Sequence, residues 1–263
     1  MVRVMRLLKG SHRVERLNAL LEIWLNRRVI GDKPPDSECL SFEEFVSSVA
    51  RLRPHLAGLV GPGGEGEAAV EYVTQHFRDR TGPVVLPFPA YFNADRSLAL
   101  LCYALARYLK PVVVLETGVG YGVSSALFLL ALERNGTGRL ISIDLPPLSD
   151  PRGRFTGFAV PENLRTRWSL YRGTSRRWLP RIVPECPSLD LCLLDSANVY
   201  TLQRYEFSLV WPRLTPGGAV LVNNVTDRFV SYTKSFGDAE LWVVRQVEKP
   251  SCATVVAFKR RQS

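Results

Sequence analysis

Val112–Gly122 reads VVVLETGVGYG: valines and a leucine in unbroken succession, then Glu116 and Thr117, then glycine at every second position from Gly118 to Gly122. A short apolar run rich in β-branched residues and closed by glycine predicts a strand buried on both faces. The glycines let the backbone turn sharply and approach a ligand closely, and Ser124 to Arg134 predicts a helix directly after them. The spacing is GxGxG, with Val123 where a dinucleotide fingerprint requires its third glycine, which argues against a nicotinamide cofactor. Asp144 ends the next predicted strand, RLISIDLP (139–146). There a carboxylate can accept both ribose hydroxyls of an adenosine; its other reading is a helix cap or turn residue.

Outward from this stretch the pattern alternates. WSLYRG (168–173), DLCLLDS (190–196) and GAVLVNNV (218–225) read as further strands, with a helix from Leu202 to Leu214. Strands alternating with helices predict an α/β fold, a doubly wound, mostly parallel sheet covered on both faces. ELWVVRQV and ATVVAFKR, separated only by EKPSC (248–252), predict an antiparallel hairpin at the sheet edge. Upstream the chain is helical. Val14, Leu17, Leu21, Trp24 and Leu25 form an apolar stripe on a helix over residues 12–28. Ser41 and Glu44 form a capping box for a helix to about His55, GPGGEG (61–66) ends that unit, and a helix follows over Glu67 to Arg78. Asn93 or Asp95 can cap a helix with Leu98, Leu101, Leu105 and Leu109 on one face, stopped at Lys110-Pro111. Residues 1–90 are therefore expected to form a helical extension, a lid or a homodimer contact, and residues 91–263 the ligand-binding domain.

Composition agrees with a globular protein. Of 263 residues 46% are hydrophobic and 22% charged, which excludes a disordered or disulfide-stapled chain. The longest apolar run, Ala126 to Leu132, is far short of a membrane span, and the amino end lacks the apolar stretch of an export signal. Five cysteines without ligand spacing (Cys39, Cys102, Cys186, Cys192, Cys252) predict reduced thiols in a cytoplasmic protein. The net charge of +9 gathers at the two ends and in an arginine cluster between Asp150 and Ile182. No aromatic-interleaved run or finger spacing accompanies it, so nucleic acid is not the expected partner; a solvated basic face or attraction of an acidic acceptor are the two readings of the cluster.

From about Asn93 onward the chain resembles class I S-adenosylmethionine-dependent methyltransferases. VVVLETGVGYG is similar to their first motif, ISIDLP to the second, LDLCLLDS to the fourth strand and RLTPGGAVLV to the fifth. More narrowly, SIDLPP, TGFAVPENLRTRW, YRGTSRRWLP, LLDSANVY, FSLVWPRLTPGG and LVNNV resemble the bacterial small-molecule methyltransferases grouped as methyltransferase domain 24. The resemblance implies a Rossmann-like seven-stranded sheet and S-adenosyl-L-methionine as cofactor. It places Glu116, Gly118, Gly120, Tyr121 and Gly122 around the methionine and ribose, Asp144 on ribose, Thr174 and Ser175 near adenine, and Asp195 beside the methyl group. Thr174 and Ser175 have a second reading as caps of the next helical turn, and Asp195 as a strand-end hydrogen-bonding residue.

Relatives with this arrangement commonly carry an HDSxH-like segment on the fourth strand and a DD or ED pair after the fifth. Here the residues are Leu194-Asp195-Ser196-Ala197-Asn198 and Asn223-Asn224. A hard dication is held chiefly by carboxylates, so no metal site is expected. The histidines His12, His55 and His76 all lie in the extension, leaving Asp195, Tyr200 and Glu206 as candidate bases; Asp195 is the best placed, and Asp195 and Tyr200 are taken as the candidate catalytic residues. The expected function is methyl transfer to oxygen of a small molecule. The alternative is a non-catalytic cofactor-binding regulatory or partner protein derived from such an enzyme.

Overall fold

The computed structural model describes residues 13–26, 35, 39–82 and 84–261. The basic residues Arg3, Arg6 and Lys9, the ends of the first expected helix, and His12 lie outside them. The remainder of that helix is α1 (Arg13–Leu25), followed by α2 (Phe42–Leu52), α3 (Pro54–Val60), α4 (Glu65–Thr81) and α5 (Arg96–Leu109). Then come β1 (Val113–Thr117), α6 (Val123–Asn135), β2 (Arg139–Asp144), β3 (Trp168–Arg172), α7 (Ser175–Ile182), β4 (Leu189–Leu194), α8 (Tyr200–Val210), β5 (Leu214–Val222), α9 (Asp227–Lys234), β6 (Ala239–Arg245) and β7 (Ala253–Lys259).

The strands form one seven-stranded sheet in the order β3-β2-β1-β4-β5-β7-β6. Its first five are mutually parallel; β7 runs antiparallel to β5, and β6 to β7. The expected doubly wound α/β architecture with an antiparallel carboxyl-terminal hairpin is thus the one observed. Chain direction across the sheet reverses between β1 and β4, and in open α/β sheets the crevice at such a switch point receives ligands.

Strand alternation divides the core into two layers. Val114, Leu191 and Leu221 face α5 and α6, whereas Val113, Leu115, Cys192 and Val220 face Leu179 of α7, Phe207 of α8 and Phe229 of α9. The first layer continues into Phe45, Val49, Leu56, Ala69 and Val73 of the extension. The extension also reaches the sheet edge. The Leu40 N–H donates to Val243 O (2.8 Å) and the Arg245 N–H to Leu40 O (2.9 Å), which covers part of the open edge of β6.

Several boundaries differ from expectation for local reasons. The helix opened by Ser41 stops at Leu52, because Pro54 cannot continue it and begins α3 instead. Of the two candidate caps for α5, Asp95 performs the task, accepting from the Leu98 N–H at 3.0 Å. The helix expected over Leu202–Leu214 starts at Tyr200 and ends at Val210, after which Pro212 sits in a single 3₁₀ turn and β5 begins at Leu214. Among the described residues none of the five cysteines forms a disulfide. Among the described residues no helix is long and apolar enough to cross a membrane.

Candidate functional site

The glycine loop leaves the carboxyl end of β1 at the switch point. Gly118 adopts φ +80°, and a Cβ there would lie 2.1 Å from the backbone oxygen of Asp195, so only glycine lets the loop pass the end of β4. Gly120 (φ +53°) is different: a Cβ would meet nothing nearer than Phe88 at 4.0 Å and would project into open space beside the loop. Asp144, at the end of β2, braces the loop. Its Oδ1 accepts from the N–H groups of Val119 (3.0 Å) and Gly120 (3.4 Å), and its Oδ2 from Thr156 Oγ1 (3.2 Å). Burial pushes its pKa above the ordinary aspartate value, and these hydrogen bonds oppose the shift.

Two buried carboxylates tie the strand ends together. Glu116 accepts from Ser124, Ser125 and Ser142, each at 2.6 Å, and joins β1 to α6 and β2. Glu206 of α8 accepts from Thr117 (3.1 Å), Ser196 (2.6 Å) and Ser175, linking the ends of β1, β3 and β4. Desolvation raises both pKa values, and the hydroxyls work against it.

Two adjoining cavities open over this frame. The first, about 780 Å³, is bounded by Asp144, Leu145, Thr174, Ser175 and Leu202, and is roofed by Arg16, Ala19, Leu20 and Ile23 of α1. The second, about 490 Å³, is bounded by Phe88, Tyr91, Ser124, Asp195, Asn198, Asn224 and Lys249. Gly118, Asp144, Leu145, Pro147 and Ser196 line both. Helix α1 is fastened across the first cavity by charge. Glu15 accepts from the Thr174 N–H (2.9 Å) and pairs with Arg177 (2.8 Å); Glu22 pairs with Arg176 and accepts from Thr201 Oγ1 (2.8 Å). Arg16 is only 3% exposed; its Nη2 donates to Pro151 O at 2.9 Å, while its Nε and Nη1 are buried without a hydrogen-bond partner. A guanidinium so placed is costly unless an acceptor reaches it.

In the second cavity Asp195 stands at the end of β4, its pKa raised to about 7 chiefly by desolvation, with Glu116 and Glu206 adding to the rise and Asn223 and Lys249 opposing it. Asn223 Nδ2 donates to Asp195 Oδ1 at 3.0 Å. The amide is itself fixed, because its Oδ1 accepts from Gln246 Nε2 (2.6 Å) and Thr254 Oγ1 (3.1 Å). Asn224, at φ +49°, accepts from the same Gln246 amide at 3.1 Å.

Of the residues singled out from sequence, Gly118, Gly120, Asp144, Thr174, Ser175 and Asp195 all border these cavities. Glu116 lies behind the loop with its carboxylate committed to three hydroxyls. Tyr121 turns away into the extension, stacked on Phe88 with ring centroids 3.9 Å apart. Gly122, at φ +85°, starts α6. Tyr200 opens α8 with the Arg228 guanidinium 4.9 Å from its ring centre. In the arginine cluster, Arg165, Arg167, Arg176 and Arg177 are paired with glutamates, and Arg165, Arg172 and Arg181 donate to backbone carbonyls. Arg16 and Lys249 were not legible in the sequence. One is an arginine on a helix already rich in arginine, the other a lysine in a hairpin turn, and only the fold brings them to the cleft.

A family model described as a methyltransferase domain, that of group 24, matches residues 115–225. No curated protein is similar enough in sequence to match the chain. Solved structures share its fold. The O-methyltransferase TomG of Streptomyces achromogenes, involved in tomaymycin synthesis and crystallised with SAM, superposes with a TM-score of 0.54 at 19% identity, over 73% of this chain and 90% of its own. The SAH-bound methyltransferase PaMTH1 of Podospora anserina gives 0.53 at 13% identity, over 82% and 96%. A methyltransferase from Geobacter sulfurreducens gives 0.52 at 20%, over 81% and 96%.

Proposed function

We propose that this chain, whose residues 115–225 match the model of a methyltransferase domain, binds S-adenosyl-L-methionine and directs its methyl group to oxygen of a small-molecule acceptor. The observation that carries the reading is that the two cavities share Gly118, Asp144, Leu145, Pro147 and Ser196 in their linings: a ligand resting on Gly118 and Asp144 would reach from the apolar half under α1 to the half that holds Asp195.

The residues fit the cofactor. Asp144 would accept the ribose hydroxyls, Gly120 leaves the space a side chain would fill, and Leu145, Thr174, Ser175 and Leu202 bound an apolar slot suited to adenine. Arg16 supplies donors that lack acceptors in the protein. When bound, the cofactor supplies a methyl group already activated on a sulfonium, so the protein's part is to hold the acceptor in line and to remove its proton. Asp195, titrating near neutrality, is suited to receive that proton. A divalent metal does not fit this donor set. Asn223 turns its N–H₂ toward Asp195, and an amide that donates to the carboxylate cannot ligate beside it.

The helical extension, residues 1–90, is read as a lid over the nucleoside through α1. Its outward stripe, with Val14, Leu17, Leu21 and Trp24 each at least half exposed, supports a homodimer contact. The five cysteines, none of them in a disulfide, favour a cytoplasmic setting. The test is calorimetric titration with S-adenosylmethionine and S-adenosylhomocysteine, followed by an acceptor screen. Binding in the wild type and at least about a tenfold loss in Asp144→Ala are expected, since each charge-assisted ribose bond is worth ~1.5–3 kcal/mol. A wild-type protein that binds neither compound overturns the reading.

A further inference from the structure

Lys249 lies in the turn between β6 and β7, is 9% exposed, and borders the cavity that holds Asp195. It is held from two sides: Nζ donates to Asn93 O at 2.7 Å, and the ammonium sits 4.7 Å from the centre of the Tyr91 ring. No carboxylate forms an ion pair with it among the described residues, although Asp195 is within its field. Phe88 and Tyr91 give the same cavity aromatic walls. The chain thus places a fixed cation, an aromatic slot and a carboxylate around one space of about 490 Å³.

We propose that Lys249 is a catalytic residue that binds the acceptor's reacting oxygen as it becomes an anion, and that the acceptor is an aromatic hydroxyl compound. The inference rests on the methyltransferase reading above. The phenolic O–H bond breaks, its proton passes to the Asp195 carboxylate, and the electron pair stays on oxygen beside the ammonium. That pair then forms the O–CH₃ bond as the methyl–sulfur bond breaks, with the sulfur keeping its electrons. Lys249 performs by charge what a dication would otherwise do at an alkoxide or phenoxide, and it needs no carboxylate ligand set. The groups facing Asp195 are consistent with this division of labour. Glu116 and Glu206 favour its protonated form, Asn223 and Lys249 its charged form, and an oxyanion next to Lys249 would offset the ammonium and make Asp195 a stronger proton acceptor.

The probe is 4-nitrophenol, whose phenolate absorbs separately from the phenol, titrated from acid to alkaline pH in the complex of the protein with S-adenosylhomocysteine. The expected result is ionisation of the bound phenol at a lower pH than the free compound, with phenolate bound roughly tenfold or more tighter than phenol. Lys249→Met should abolish that preference and Lys249→Arg should retain most of it, while both keep the wild-type affinity for S-adenosylhomocysteine by calorimetry. Wild-type binding of the cofactor product with no downward shift, no phenol binding, or an equal shift in Lys249→Met overturns the assignment of Lys249 and leaves the methyltransferase reading standing. Failure of S-adenosylhomocysteine to bind the wild type overturns the reading itself.

Discussion

The amide of Asn223 donates to the carboxylate of Asp195 across 3.0 Å, and Gln246 and Thr254 hold that amide from behind. Two carboxylates at this separation would demand a bound cation or a shared proton; an amide and a carboxylate demand neither. Binding of S-adenosylhomocysteine, and methyl transfer once an acceptor is found, should therefore survive exhaustive EDTA. The Asn223→Asp/Asn224→Asp variant should gain affinity for Mg²⁺, read as a metal-dependent rise in melting temperature that the wild type lacks. Activity that vanishes with EDTA and returns with Mg²⁺ in the unmodified protein would count decisively against the argument.

The proposed role of Asp195 as proton acceptor carries a pH dependence. Its pKa lies at about 7, and only the deprotonated form can take a proton from the acceptor. The kcat/KM profile should therefore fall as the pH drops below about 7 and level off above it. Asp195→Asn should lower kcat by about 10² or more, in line with loss of a general base, with little change in cofactor affinity. An acidic limb unchanged in that variant would assign the titration to another group.

Strand, glycine loop and acidic strand end were legible because each is written locally: a period, a run of β-branched residues, glycine where φ must be positive. The departure at Asn223-Asn224 was legible too, as missing charge. What the amide does was not, since Gln246 and Thr254 approach it from another hairpin. Glu116 stands within the recognised motif, yet its carboxylate meets Ser142 of β2, a pairing set by sheet register (Glu116 opposite Ser142) rather than by anything near it in sequence. Tyr121 shows the same limit: a residue between two loop glycines can face either side, and packing against Phe77 and Phe88 decides which. Arg16 and Lys249 enter the cleft from opposite ends of the chain and carry no local signal.

Glu116→Gln tests the buried cluster. The amide nitrogen cannot accept from a hydroxyl, so at least one of Ser124, Ser125 and Ser142 loses its acceptor in a dry environment. A loss of ~1–3 kcal/mol in urea unfolding is expected, with the glycine loop loosened and cofactor affinity reduced in parallel. Unchanged stability would mean that the hydroxyls find other partners.

Arg53 pairs with Glu240 at 2.6 Å and lies 4.2 Å from the centre of the Phe258 ring, joining the extension to the sheet edge. The pair holds Glu240 below its ordinary value of 4.5, so the unfolded chain takes up a proton at pH values where the native one does not. Its contribution is complete above about pH 4.5 and fades as the pH falls through the lower folded value. Both side chains are partly exposed, and about 1 kcal/mol is the expected size. Glu240→Gln should lower stability by that amount at pH 7 and by less at pH 3, as measured by urea titration at the two pH values; an equal loss at both would assign the effect to packing.

Helix α1 roofs the first cavity, the half of the cleft proposed for the nucleoside, and is fastened by exposed ion pairs, Glu15 with Arg177 and Glu22 with Arg176, rather than by a deep apolar seam. Such pairs are worth ~0.2–1 kcal/mol each and weaken with salt. A roof held this way opens readily, so cofactor release should quicken as ionic strength rises, while the frame beneath it stays folded. The Glu15→Gln/Glu22→Gln variant should release S-adenosylhomocysteine several-fold to about tenfold faster and lose most of the salt dependence, since the pairs that salt weakens are already gone. Arg16→Met should behave differently. It removes buried donors rather than a surface pair, so affinity should fall by about tenfold or more while the salt dependence remains. Stopped-flow displacement of S-adenosylhomocysteine over a range of NaCl concentrations separates the two variants. Release rates indifferent to salt in the wild type, or to either substitution, would show that α1 rests on the cleft without governing it.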